Sequence, residues 1–190
     1  FNALKFFGWM EEAHPTWYTA VPTMHQAILQ RAERNAGIIQ ANPLRFIRSS
    51  SASLPVPVFH ALEQAFGCPV IEAYGMTEAP TIVTRTDPGR PPEEELCGRA
   101  VEQVEIRIVD EQDKPAAPHG IGEICVAPAT DGPYAGVYTT MLGYWNRAEA
   151  TAAALSSGMY HTGDLGYLDE QGQLYIRGRR NDLIIRGGSN

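Results

Sequence analysis

Lysine is the first scarcity. Of the 15 basic residues only Lys5 and Lys114 are lysines, and the rest are arginine. Lys5 precedes an aromatic run and Lys114 sits in an Asp-Lys-Pro turn, so neither has a setting suited to chemistry. Cysteine is sparse as well. Cys68, Cys97 and Cys125 stand far apart with no C-x-x-C, which argues against a disulfide framework or a zinc site and fits a reducing cytoplasm. Positive charge is in deficit: 22 acidic residues leave a net charge of −7, which disfavours a nucleic-acid partner. No apolar run nears the roughly 20 residues needed to cross a bilayer, and no basic segment leads into an apolar one as in a secretory signal. Internal repeats and low-complexity tracts are missing too. What is present suits a folded chain: 190 residues, 44% hydrophobic and 19% charged, enough for one large domain or two small ones.

The hydrophobic pattern changes near residues 86–97. Before that point strand-like and helix-like segments alternate. Trp17-Tyr18-Thr19-Ala20-Val21 is aromatic and β-branched and stops at Pro22. Thr23 and Gln26 match a capping box, Met24, Ala27, Ile28 and Ala32 recur at helical spacing, and Gly37 reads as the stop. Leu44 to Ile47 is a second strand, Val58, Leu62, Ala65 and Phe66 a helical stripe closed by Gly67, and Pro69 to Ala73 a third strand. Strands and helices alternating with short links predict parallel pairing and right-handed crossovers. Thr86 to Glu95 is a polar, proline-rich joint. Beyond it Val104, Ile106 and Ile108 alternate with polar residues, Asp110 to Lys114 is a turn, and strands over Glu123–Val126, Gly166–Leu168 and Gln173–Ile176 flank further turns. The expectation is an α/β subdomain over 1–88 followed by a small distorted antiparallel β-barrel over 89–178, with one helix over Arg147 to Leu155.

Ligands of open parallel sheets sit beyond the carboxyl ends of the strands. Two such ends carry suggestive residues. After Phe46-Ile47 comes Ser49-Ser50-Ser51-Ala52-Ser53-Leu54-Pro55, small enough to let a flat ring approach the backbone; Ser53 as an ordinary helix N-cap explains it equally. After Val70-Ile71 comes Glu72-Ala73-Tyr74-Gly75-Met76-Thr77-Glu78: an aromatic plate, a glycine, a hydroxyl and a carboxylate. That order suits a nucleotide's ring, phosphate oxygen and Mg²⁺, although a strand-ending turn also accounts for it. In Tyr160-His161-Thr162-Gly163-Asp164 a carboxylate held in a turn could accept both hydroxyls of a ribose, or mark a hairpin. Arg179, in Gly178-Arg179-Arg180-Asn181, could reach the same ribose or a phosphate, or belong to a solvated basic linker.

Taken in order, these motifs resemble the adenylate-forming superfamily of acyl-CoA synthetases, luciferase-like enzymes and peptide-synthetase adenylation domains. Thr19-Ala20-Val21-Pro22-Thr23 looks like its strand toward the acyl pocket, and Ser50-Ser51-Ala52-Ser53-Leu54 like its adenine-contact segment. Tyr74-Gly75-Met76-Thr77-Glu78 resembles its Tyr-Gly-x-Thr-Glu motif. Gly122-Glu123-Ile124 with Gly143-Tyr144-Trp145, then Thr162-Gly163-Asp164 and Gly178-Arg179, are similar to its later segments. The resemblance implies a ligase that joins a small carboxylic acid to coenzyme A through an acyl-adenylate, using ATP and Mg²⁺. It implies that Tyr74 stacks on adenine beside Ser51, Ala52, Ser53, Ala73 and Gly75. Thr77 would hold a phosphate oxygen, Glu78 would ligate Mg²⁺, and Asp164 and Arg179 would hold the ribose. His25, Ser50 and Met76 become candidates for the acid pocket, with packing as the other reading of His25.

The superfamily's glycine-rich lysine loop and its catalytic lysine have no counterpart between Phe1 and Asn190, so the chain is expected to be an internal piece of a longer enzyme, inactive alone. On the same resemblance, residues 179–190 would form a hinge toward a missing C-terminal domain, with Asn181 as pivot where relatives often have Asp or Lys. Within the superfamily the chain is nearest the oxalate–CoA ligase and 4-coumarate–CoA ligase types. It departs from the former at Pro80-Thr81, where a histidine is usual. A carrier-protein-linked adenylation domain and a non-catalytic nucleotide-binding module remain open alternatives.

Overall fold

Three parallel strands organise the first half of the chain. β1 (Trp17–Ala20), β2 (Phe46–Ser50) and β3 (Val70–Met76) pair in that order, Trp17 beside Phe46 and Ser50 beside Ala73. The computed structural model describes residues 1–137 and 140–180, with residues 80 and 81 by backbone alone. α1 (Phe6–Ala13) precedes β1. α2 (Pro22–Ala32), a 3₁₀ turn over Glu33–Asn35 and α3 (Ala36–Ala41) connect β1 to β2, and α4 (Val56–Phe66) connects β2 to β3. Parallel strands require such crossovers, because the chain must return to the edge where it started. Ile28, Ile47, Leu62 and Val70 are fully enclosed where these helices meet the strands, and Phe7 and Met10 of α1 join the same core.

Three local expectations are corrected here. The capping box is unused, since α2 begins at Pro22 with Val21 as N-cap and no side-chain cap. Proline at the first helical position lacks the N–H that a cap would satisfy and already has a helical φ. Gly37 lies inside α3 rather than ending a helix; Asn42 closes that helix, its side-chain amide donating to the Ile38 carbonyl at 2.9 Å. Ser53 is not a cap either, because Pro55 fills the N-cap position of α4. Gly67, at φ 65°, closes α4 as expected.

The second half is antiparallel. β4 (Ala79–Arg85), β5 (Leu96–Ala100), β6 (Val104–Val109), β7 (Gly122–Pro128), β8 (Tyr160–Leu168) and β9 (Gln173–Arg179) lie in the order β4-β5-β9-β8-β7-β6. Among the described strands β6 pairs with β7 alone, so this sheet is open and not a closed barrel. α5 (Ala148–Ala154) is the helix expected there. The Asp110 and Asp169 turns form because each carboxylate accepts two following backbone N–H groups, at 2.8 and 3.0 Å and at 2.8 and 2.8 Å.

Packing divides the chain into two units. One holds Phe1–Tyr74 and Thr86–Glu94, and the other holds Gly75–Arg85 and the chain from Glu95 on. The proline-rich joint therefore belongs with the first unit and β4 with the second. No helix among the described residues is long and apolar enough to cross a membrane.

Gly166 marks a close strand approach in the second unit. A Cβ there would lie 2.3 Å from the Tyr175 carbonyl oxygen and 2.9 Å from Ile124 Cδ1. We expect Gly166→Ala to destabilise the protein by about 1–3 kcal/mol through forced separation of β8 and β9. Urea unfolding measures this, and an unchanged midpoint would contradict the packing described.

Candidate functional site

In the first unit the carboxyl ends of β2 and β3 lie side by side, Ser49 opposite Glu72 and Ser50 opposite Ala73. The small-residue segment Ser51-Ala52-Ser53 leaves β2 at this edge, exposed to solvent. Ser51 is left-handed at φ 72°, a conformation that non-glycine residues adopt only when their surroundings compel it. Glu72 provides that restraint. Its Oε2 accepts the Leu54 N–H at 3.0 Å in a buried hydrogen bond, while its own backbone N–H donates to Thr86 Oγ1 at 2.9 Å and its carbonyl accepts the Thr86 N–H at 2.9 Å. Burial pushes the Glu72 pKa up to about 7, and the Leu54 N–H pulls it back down. Sequence reasoning passed over Glu72 as one more strand residue. The signal was there: a glutamate within the apolar run Pro69-Val70-Ile71-Glu72-Ala73.

Tyr74, Gly75 and Met76 are not in a loop, as the motif suggested. They continue β3, half-buried, and only Thr77 and Glu78 turn before β4 begins at Ala79. The aromatic plate is thus held by a strand, and the hydroxyl and carboxylate sit at its tip.

His25 does not reach an open surface. It is fully enclosed on α2, with Nδ1 3.2 Å from the Tyr18 hydroxyl. Burial lowers its pKa to about 4, against the smaller upward pull of the Ala20 and Arg48 backbone carbonyls. This is the packing arrangement that the sequence left open.

The second unit gathers the acidic candidates. Glu78 is half-buried; its backbone carbonyl accepts the Met141 N–H at 2.9 Å and its Oε1 accepts the Tyr144 hydroxyl at 3.1 Å. Asp164 is buried on β8, and its Oδ1 lies 3.0 Å from Nε of the exposed Arg179, its register partner on β9. The structure therefore brings together the two residues singled out for a ribose. Tyr160, buried on β8, feels both carboxylates. Desolvation raises its pKa most, and the neighbouring Tyr144, Glu78 and Asp164 add to that rise.

Thr162-Gly163-Asp164 is a bulge inside a strand, not a hairpin turn. Glu123 pairs with Leu165 and Cys125 with His161, so two steps along β7 face four along β8. Gly163 takes φ 74°, which favours glycine. Three bonds fix the bulge: Thr162 Oγ1 donates to the Ile124 carbonyl at 2.7 Å and accepts the Asp164 N–H at 3.0 Å, and Glu123 Oε1 accepts the Gly163 N–H at 3.0 Å. The other oxygen of Glu123 meets His161 Nδ1 and Arg180, each at 3.2 Å. Ligand-type atoms of Glu123, Cys125 and His161 lie within 4.8 Å of one another. Glu123 is already engaged by backbone and arginine, and burial pushes the Cys125 thiol up to about 12, so hydrogen bonding accounts for this trio. Asn181 lies outside the described residues, as do the side chains of Pro80 and Thr81.

Two buried groups of the first unit tilt its stability in opposite directions. Glu72 keeps its proton up to about pH 7 when folded, against 4.5 ordinarily, so its contribution falls as pH rises from about 4.5 to 7. His25 stays neutral down to about pH 4 when folded, against 6.5 ordinarily, so its contribution rises with pH from about 4 to 6.5. Relative to the parent protein, Glu72→Gln should gain a steeper rise in stability with pH, and His25→Leu a steeper fall. Urea unfolding between pH 4.5 and 7.5 tests this; profiles parallel to the parent's would contradict it.

The sequence profile of the AMP-binding enzyme family matches residues 1–145. An oxalate–CoA ligase of Arabidopsis thaliana is 41% identical over 190 residues, covering 99% of this chain and 35% of that protein. A 2-succinylbenzoate–CoA ligase of Geobacillus kaustophilus is 39% identical over 170 residues, covering 86% of this chain and 32% of that protein. The crystal structure of the Bacillus subtilis O-succinylbenzoate coenzyme A synthetase in complex with ATP and magnesium ion superimposes with a TM-score of 0.79. It is 30% identical, over 100% of this chain and 37% of that one. The chain thus spans about a third of the length of the relatives it matches. On the match over residues 1–145, supported by the strand-borne Tyr-Gly-Met-Thr-Glu motif and the β8 bulge, the chain belongs to the AMP-binding enzyme family.

Proposed function

We propose that the complete protein is an ATP-dependent carboxylic acid–CoA ligase, and that this chain supplies its grip on the nucleotide. The observation that carries the reading is the Asp164–Arg179 pair across β8 and β9, Oδ1 to Nε at 3.0 Å. A nucleotide has a polyanionic end that needs a cation and a diol that needs an acceptor, and the second unit offers Glu78 for the one and Asp164 for the other. In this reading Tyr74 stacks on adenine with the backbone of Ser51, Ala52 and Ser53 at its edge, and Ala73 and Gly75 allow close approach. Asp164 accepts the ribose hydroxyls, and Arg179 orients that carboxylate. Thr77 donates to a phosphate oxygen. Glu78 is the hard oxygen donor that suits Mg²⁺, which when bound neutralises phosphate charge. Ser50 and Met76 face the acid, whereas His25 acts by packing. Residues 179–190, with Asn181, serve as a hinge, and 1–88 and 89–178 serve as the functional subdomains. The three free cysteines suit a reducing cytoplasm.

The reaction follows in two balanced steps. A carboxylate oxygen of the acid attacks the α-phosphorus of ATP, forming the acyl-adenylate and releasing pyrophosphate. The sulfur of coenzyme A then attacks the acyl carbon, forming the thioester and releasing AMP and the thiol proton. Positioning and charge stabilisation do the work, with no covalent protein intermediate.

In the complete protein, Asp164→Ala should raise the apparent constant for ATP about a hundredfold, since two charge-assisted bonds of about 1.5–3 kcal/mol each are lost. Steady-state kinetics with ATP varied measures it, and an unchanged constant would remove Asp164 from the ribose role. Glu78→Gln should spare adenine binding and impair the Mg²⁺-dependent step.

A further inference from the structure

We infer that Glu72 is a positioning residue for the purine: its carboxyl group holds the Ser51–Ser53 segment on the face of β3 that carries Tyr74. This rests on the reading of Tyr74 and Ser51–Ser53 as the base contact. Side chains two apart on a strand project from one face, so Glu72 and Tyr74 share a face of β3. Glu72 Oε2 accepts the Leu54 N–H at 3.0 Å, which brings the chain just past Ser53 back to that same face. Ser50, at the other end of the segment, is paired with Ala73. Three consecutive residues of β3 therefore set the arrangement: Ala73 holds the start of the segment, Glu72 holds its end, and Tyr74 carries the ring.

Both partners of the Glu72–Leu54 bond are themselves fixed. Leu54 is buried, and its side chain joins the core cluster of Ile47 and Leu62. Glu72 is buried as well, and Thr86 grips its backbone twice: Oγ1 accepts the Glu72 N–H at 2.9 Å, and the Thr86 N–H donates to the Glu72 carbonyl at 2.9 Å. With both ends of the segment held, the three exposed residues between them have little freedom left, and Ser51 takes φ 72°. A segment ordered before its ligand arrives loses less freedom on binding. Burial keeps the Glu72 carboxyl protonated up to about pH 7, so the acceptor for Leu54 is a neutral carboxyl oxygen, and a glutamine amide oxygen can take its place.

Equilibrium binding of AMP to the complete protein at about pH 6, followed by titration calorimetry, tests this without turnover. Glu72→Leu should weaken AMP binding about tenfold, whereas Glu72→Gln should stay within about twofold of the parent. Hydrogen exchange should show the Leu54 amide protected in the parent and in Glu72→Gln, and unprotected in Glu72→Leu. In a cycle with Tyr74→Ala the two losses of AMP affinity should sum to less than their total, because the tyrosine contributes little once the segment is no longer held opposite it. Additive losses would mark a merely structural residue and overturn the inference. So would a Glu72→Leu variant that melts as a folded protein and keeps the parent's AMP affinity while Tyr74→Ala loses it. If Tyr74→Ala keeps that affinity too, the assignment of the base contact fails instead. Should Glu72→Leu not fold, the parent alone supplies the check: without AMP, a Leu54 amide that exchanges as fast as those of Ala52 and Ser53 would overturn the inference.

Discussion

In each unit a glutamate from a neighbouring strand bonds a backbone N–H of an irregular segment, and the site residues depend on that bond. Glu72 holds the loop after β2 through the Leu54 N–H. Glu123 holds the β8 bulge through the Gly163 N–H. Irregular backbone at the end or in the middle of a strand loses ladder hydrogen bonds, and a buried N–H without a partner costs free energy. A carboxyl group is a strong remedy, because it accepts more than one donor, and where it is ionised the bond is charge-assisted. The two glutamates solve the same problem in different surroundings. Glu72 is buried with a raised pKa, whereas Glu123 is partly exposed and is met by His161 and Arg180.

The bulge shows why such a restraint is needed. In a regular strand side chains alternate between faces. Pairing two steps of β7 with four of β8 breaks that alternation and lets Asp164 stand opposite Arg179 while Tyr160, four residues earlier, stays in the core. Without Glu123 and the Thr162 hydroxyl, the extra residues would have no partners. The motif's threonine and glycine are therefore architectural, and its aspartate is paired with Arg179.

Much of the parallel half was legible, because short apolar strands and a 3.6-residue stripe leave distinct periods in the sequence. The Val58–Phe66 stripe and Gly67 became α4 and its left-handed cap. α1 was missed because Phe6 and Phe7 are adjacent and Trp9 is 46% exposed, which blurs the stripe. β4 and β5 were missed because Pro80 interrupts one and Gly98 sits in the other, and both residues read as breakers. The motifs were visible in the sequence, but their setting was not. Tyr-Gly-Met-Thr-Glu and Thr-Gly-Asp read as turns, since glycine beside threonine is turn-like in local chemistry; long-range pairing placed them in strands instead. Glu72 was silent, since its role exists only once a partner distant in sequence is brought alongside.

Charge gives the last constraint. A chain with 22 acidic and 15 basic residues that spends Glu78, Asp164 and Glu123 on one unit makes a poor surface for free triphosphate. Three arginines of this unit are committed to carboxylates: Arg179 to Asp164, Arg180 to Glu123 and Arg177 to Glu95. In the function proposed, a polyanion beside Glu78 is favourable only with a divalent cation between them, since like charges at contact distance repel strongly where water is excluded. A neutral phenol donor on Glu78 is consistent with that order of events. It steadies the carboxylate without neutralising it, whereas a lysine or arginine in the same place would compete with the cation for the same oxygens.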